Sequence, residues 1–347
     1  GTLSNPIQQM SSTVYTATFT PSASGNYTID VEGNKFTNAM GNGNVAATPF
    51  TWTYDGTPPT MVITASEVNS GETTNDATLS LTFTSSEATT DFAFEDISVS
   101  GGVLSNFSGS GKIYTATFTP SGDGSCTINV EGGKFTDAVG NENSAATQFT
   151  WTYDGTPPTM VITAGNVSSG SKTNDPTLSL TFTASEPTAN FAFGDISVSG
   201  GTLSNPIQQM SSTVYTATFT PSGDGDCSIG VSQGGFTDAV GNGNTAAPQF
   251  TWTYDSQPSS ITSFTTTTES GSYKAGDIVI TANTNKDVTA NSSILVTLNT
   301  GAPPLTLSHN SAGTTLSGTY AIGANQNASP LTISSFTYSQ CDAGEVE

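Results

Sequence analysis

The chain has 347 residues, enough for two to four domains. Only 10% are charged, arginine is absent, and the formal net charge is −22, which argues against nucleic acid or an anionic membrane as partner and suits cations. Apolar residues make up 34%, yet they fall in alternating runs among Thr, Ser and Gly, as in thin all-β domains rather than in a disordered tail.

Residues 1–54 read as the C-terminal half of a domain. They end on Phe50-Thr-Trp-Thr-Tyr54, where apolar residues alternate with threonine as in a strand with one buried face. Asp55-Gly-Thr-Pro-Pro59 then stops the strand, because proline cannot donate a ladder hydrogen bond. The same words return at 150–159 and, shortened, at 251–255, so that Trp52, Trp151 and Trp252 stand 99 and 101 residues apart. A period near one hundred is that of whole domains strung in tandem, not of a solenoid of short units. Residues 1–22 are identical to 201–222, so Gly1 corresponds to Gly201, and the chain is expected to be a window from a longer array.

Residues 55–153 and 154–254 read as two complete copies, and 255–347 as a divergent fourth unit, either complete or incomplete. In the first complete copy seven short strands are expected. They are Met61–Ile63; the alternating Leu79, Leu81 and Phe83; Ile97 with Val99; Val103-Leu104; Tyr114, Ala116 and Phe118; Cys126, Ile128 and Val130; and Phe149, Trp151 and Tyr153. Seven such strands separated by Gly, Pro, Asn and Asp turns predict an all-β chain of tandem immunoglobulin-like Greek-key sandwiches in an extended array. In the fourth unit 271–280 and 294–298 read as strands of a related but distinct sandwich, and Asp342-Ala-Gly resembles the start of the Asp137-Ala-Val-Gly-Asn141 loop. No apolar run is long enough to span a bilayer.

The segments Phe83-Thr-Ser-Ser-Glu87, Phe94-Glu-Asp-Ile-Ser-Val99, Phe135-Thr-Asp-Ala-Val-Gly-Asn141 and Asp55-Gly-Thr-Pro-Pro resemble the bacterial Ig-like repeats of very large extracellular proteins, such as adhesins. The resemblance covers residues 1–254 well and 255–347 loosely. It implies extension, spacing and adhesion outside the cell or at its surface, often with calcium.

Strand order predicts where chemistry gathers. In an up-and-down sandwich the loops after the second and sixth strands return to the pole where the linker enters. Asp55, Glu87, Asp137 and Asn141 should then converge in one copy, and Asp154, Glu186, Asp238 and Asn242 in the next, with Asp96 and Asp195 within reach. Converging carboxylates repel unless a cation neutralises them, and calcium takes six to eight oxygen ligands. Asp76 and Asp123 of the preceding copy could add oxygens at Asp154. The alternative is that these are solvated loop acids, with Asp137-Ala-Val-Gly-Asn141 serving only as a turn. Asn38 replaces the loop Asp in the first copy.

Cys126, Cys227 and Cys341 number no more than one per unit, so no repeat can close an internal disulfide; buried thiols are expected, with a bridge between molecules the alternative. Asn26, Asn106, Asn166, Asn291 and Asn327 head N-glycan acceptor patterns. His309, the only histidine, accompanies no nucleophile motif, and no enzyme activity is expected. The expected role is a structural array, a stalk or filament block, whose partners are further copies or other surface proteins. The alternative is a glycan- or protein-binding module.

Overall fold

The computed structural model describes residues 1–340 except 205, 270, 310 and 325; Cys341 and the Asp342-Ala-Gly segment lie outside the described residues. Two compact units are distinguished. Gly1–Ser171, Thr177–Thr220 and Cys227–Trp252 form one, and the chain after Trp252 with Lys172–Pro176 and Pro221–Asp226 forms the other.

In residues 55–153 the alternation of Leu79, Leu81, Phe83 and Ser85 turns one face of the Leu79–Thr89 strand inward. This strand pairs antiparallel with Met61–Ala65 on one side and Gly102–Pro120 on the other. The facing sheet runs Ile97–Ser100, Gly124–Val130, Phe149–Tyr153 and Thr73–Thr74, the last pair parallel. Between the two sheets lie Phe83, Phe118, Ile128, Phe135 and Trp151, all but sealed from water. Trp151 stands edge-on to Phe118 with ring centroids 4.7 Å apart, a geometry that adds about 0.5–1.5 kcal/mol to simple burial. The chain is thus an array of immunoglobulin-like β-sandwiches.

Two local features differ from the expected strand list. Val103-Leu104 and Tyr114–Phe118 belong to one long strand, Gly102–Pro120. Its ladder shifts register between Gly111 and Ile113, and a Cβ on Gly109 would sit 2.4 Å from the Ile113 carbonyl oxygen, so glycine alone fits this crossing. The two-residue strand Thr73–Thr74 is too short to show a period.

Residues 154–254 repeat the arrangement: Met160–Ala164, Leu178–Ala184 and Val214–Pro221 pair in order, and Trp252 stands on Phe219 at 4.6 Å. In residues 1–54 Gly25–Ile29 pairs with Phe50–Tyr54, setting Tyr27 opposite Trp52 where the next repeat sets Cys126 opposite Trp151. These 54 residues carry no counterpart of the Met61–Ala65 and Leu79–Thr89 strands. Phe50 is 66% exposed, whereas its equivalent Phe149 is 5% exposed.

Among its described residues the second unit carries one antiparallel sheet of six strands, in the order Ile261–Thr266, Asp277–Val288, Gly313–Ala321, Leu305–Ser308, Ser293–Leu298, Ile333–Gln340. Its first and last strands approach each other, with the Phe264 and Phe336 rings 5.7 Å apart, so the sheet curls around a core of Ile280, Val296, Leu307 and Leu316.

Candidate metal centre at the repeat linkers

The loop after Phe135 closes on its own aspartate. Asp137 Oδ1 accepts from the amides of Val139 and Asn141, each at 2.9 Å, and Gly140 supplies the positive φ of 94° that the turn needs. Asn141 Nδ2 then donates to Asp137 Oδ2 at 2.8 Å and to the carbonyl oxygen of Asp55 at 3.1 Å. In the next repeat Asn242 Nδ2 does the same, reaching Asp238 Oδ2 at 2.9 Å and the Asp154 carbonyl at 2.8 Å. One amide therefore ties each terminal loop to the linker that opened its own sandwich.

Glu87 lies near the end of its strand at the same pole. Carboxylate oxygens of Asp55, Glu87 and Asp137 all lie within 4.8 Å of one another, as do those of Asp154, Glu186 and Asp238. Asp137 and Asp238 are buried, and the other four are half-buried. Of the remaining acids singled out from the sequence, Asp96 and Asp195 lie outside these trios. Each accepts from an amide of its own 3-10 turn, Ala93 and Ala192 respectively, at 2.8 Å. Asp76 turns back to the hydroxyl of Thr74 at 2.6 Å. Asp123 does reach the Asp154 linker: it accepts from the Gly155 amide at 2.7 Å and from the Thr156 hydroxyl. Asn75 of the same preceding repeat donates to Asn242 Oδ1 at 3.2 Å. In the first copy Asn38 forms the same turn without a charge, accepting from Met40 and Asn42 at 3.0 Å.

The electrostatics show a strained and a settled carboxylate. Burial pushes the Glu186 carboxyl up, and the neighbouring charges of Asp154, Asp238 and Asp123 push it further. Burial also pushes Asp137 up, but hydrogen bonds from Asn141, Val139 and Gly140 outweigh it and hold this carboxyl below the usual range. The donor set is hard oxygen only, without His or Cys, which suits calcium or magnesium rather than zinc.

Cys126 and Cys227 are buried thiols; Cys126 Sγ points at the Gly101 carbonyl at 3.5 Å, and burial pushes its pKa up. Asn26, Asn106, Asn166, Asn291 and Asn327 are all exposed. His309 is half-buried, with its ring Nε2 3.1 Å from the Ser311 hydroxyl.

Two groups of residues carry weight that sequence reading missed. Asn143, 4% exposed, accepts from the amides of Lys134 and Phe135 and donates to the carbonyls of Glu131 and Ser144. Asp91 clamps Thr89 and Thr136 across the same end of the sandwich. Turn composition gave no way to separate these from the many other Asn and Asp residues.

A tandem array of all-β sandwiches with acidic, loop-braced linkers defines the class: immunoglobulin-like repeat proteins. The family profile described as bacterial Ig-like domain matches residues 1–54, 55–153 and 154–254, and the chain belongs to that family, an extracellular or cell-surface one. No curated protein matches the chain. Among solved structures it is similar to FdeC, an Escherichia coli adhesin, at 13% identity and TM-score 0.33, over 80% of this chain and 87% of that one. It is similar to Yersinia pseudotuberculosis InvD at 15% and 0.32, over 80% and 93%, and to invasin, a bacterial integrin-binding protein, at 14% and 0.31, over 76% and 54%. The assignment rests on the family match and not on these distant likenesses.

Proposed function

We propose that the chain is a structural segment of a surface stalk or filament. Its Ig-like repeats are strung by short Asp-Gly-Thr-Pro-Pro linkers, and a calcium ion stiffens each linker that carries a carboxylate trio. The recurrence of the trio carries this reading. Asp55, Glu87 and Asp137 reappear as Asp154, Glu186 and Asp238 at the same pole of the next repeat. One acidic cluster is common; two built alike, each gathering residues far apart in sequence beside a proline-rich linker, fit a device that the repeat carries with it. A bound calcium would take carboxylate oxygens from all three residues, and would remove the repulsion now felt by Glu186.

The function is then mechanical. A strand of seven residues spans about 24 Å, so each repeat with its loops adds roughly 40 Å of reach. Further copies of the array or other surface proteins are the natural partners, and the exposed asparagines at 26, 106, 166, 291 and 327 would carry glycans in a glycosylating host. No catalytic role is assigned. The test is small-angle scattering of the chain in calcium and in chelator. The account predicts a longer maximum dimension and a better-defined rod cross-section with calcium. Identical curves in both would remove the clamp.

A second reading, a glycan-binding module, has one supporting observation. A groove of about 530 Å³ against Phe92, Phe107 and Tyr114 recurs as one of about 510 Å³ against Phe191, Pro206 and Tyr215. Phe107, half-buried, is the ring through which the first groove would meet a sugar. Binding to a glycan array, lost in Phe107→Ala, would favour it over the mechanical role.

A further inference from the structure

The second unit opens in the same way as the two complete repeats, and its hydrogen bonds fix the equivalence residue by residue. In residues 55–153 the Thr60 amide donates to Ser86 Oγ, and the Ser86 amide returns to the Thr60 carbonyl, both at 3.0 Å. Thr159 and Ser185 exchange the same pair at 2.9 and 3.0 Å. Ser260 and Asn285 exchange it again at 2.8 and 3.0 Å. The residues that follow these partners are Glu87, Glu186 and Lys286. The linker turns match as well. Asp55, Asp154 and Asp255 accept through Oδ1 from the amide two residues on, at 3.0, 3.3 and 3.2 Å. Asp123 holds the Gly155 amide at 2.7 Å, and Asp224 holds the Ser256 amide at 2.8 Å.

A cation therefore stands where the repeats place their glutamate. Lys286 Nζ donates to Asp255 Oδ1 and, at 2.8 Å, to the carbonyl oxygen of Gln257. It thus pins both the linker aspartate and the backbone two residues beyond. Asp255 is held below the usual carboxylate range by this hydrogen bond first. Asp224 is held low by its bonds from Ser256, with the Lys286 charge adding to them. Both members of the ion pair are about one-third exposed, at 30% and 33%, so the pair adds little to global stability; its effect is local order.

We propose that Lys286 is a built-in cation. Its ammonium does at the Asp255 linker what a divalent cation does at the Asp55 and Asp154 linkers, so this linker is held without metal. The metal half of this statement rests on the calcium reading above. Calcium sensitivity is then a property of each linker separately, present where Glu87 or Glu186 completes a carboxylate trio and absent where Lys286 stands.

Hydrogen exchange read by mass spectrometry on the whole chain, in calcium and in EDTA, separates the two halves. In the unaltered chain, calcium should slow exchange of peptides over 154–160 severalfold and leave those over 255–261 unchanged. Lys286→Gln should speed exchange at 255–261 severalfold in both conditions. Lys286→Glu, which sets a carboxylate beside Asp255 in place of the ammonium, should speed it in EDTA at least as much as Lys286→Gln does. Unchanged exchange at 255–261 in Lys286→Gln would overturn the lysine clamp. A calcium response at 255–261 in the unaltered chain equal to that at 154–160 would do the same. Absence of a calcium response at 154–160, with Lys286→Gln still loosened, would sink the calcium reading and leave the lysine clamp standing.

Discussion

Asn242 donates through one nitrogen to the carboxylate of Asp238 and to the backbone carbonyl of Asp154, 2.9 and 2.8 Å away. The last loop of a sandwich is thereby fastened to the linker through which its chain entered, across 88 residues of sequence. This fastening keeps the Asp238 carboxylate beside the Asp154 backbone. Replacing Asn242 with Ala should loosen the loop and lower calcium affinity at this linker, while Asn141→Ala should spare it. Calcium titrations of the two variants check this.

Glu186 provides a sign test. Its carboxyl is raised by burial first and then by Asp154, Asp238 and Asp123. A raised carboxyl binds its proton more tightly in the folded state. The resulting penalty is absent below the ordinary glutamate value of 4.5 and grows as pH rises through the folded pKa. In chelator at pH 7, Glu186→Gln should therefore raise the melting temperature by about 1–3 °C, an advantage that fades towards pH 4. In calcium the order should invert, because the variant has lost a ligand. Thermal melts at both pH values, with and without calcium, read all four states.

Trp151 tests the core. It is 2% exposed and packs on Phe118, so Trp151→Ala should cost about 3–5 kcal/mol in denaturant unfolding. Its indole N–H has no hydrogen-bond partner among the described residues, so Trp151→Phe should cost far less than Trp151→Ala. Trp52 is only half-buried, and Trp52→Ala should be milder than Trp151→Ala.

Much of this was legible in the sequence. Strict alternation over Leu79, Leu81 and Phe83, and again over Phe149, Trp151 and Tyr153, marks strands with one buried face, and those faces meet in the core. Strand order alone brought Asp55, Glu87 and Asp137 to one pole. The Thr73–Thr74 strand was not legible, because two residues have no period and a parallel partner lies far along the chain. Nor was the contact of Lys286 with Asp255, since the divergent unit shares few words with the repeats; the Ser260–Asn285 hydrogen bonds and the matching Asp255 turn reveal the register.

Asn143 tests a contact hidden by composition. Its amide satisfies two backbone donors and two backbone carbonyls inside the sandwich. Asn143→Asp keeps the acceptors but removes both donors and buries a charge, so it should destabilise the 55–153 repeat by about 3 kcal/mol. Urea unfolding compared with Asn44→Asp, at the equivalent but only half-buried position, should show a smaller loss for the latter.

The central claim is that each complete repeat carries one calcium at its linker, and isothermal titration of the chain with calcium measures this directly. The account predicts two sites per chain, falling to one in the Glu186→Gln, Asp238→Asn double variant. A flat titration of the unaltered chain, or a stoichiometry untouched by the double variant, would contradict it.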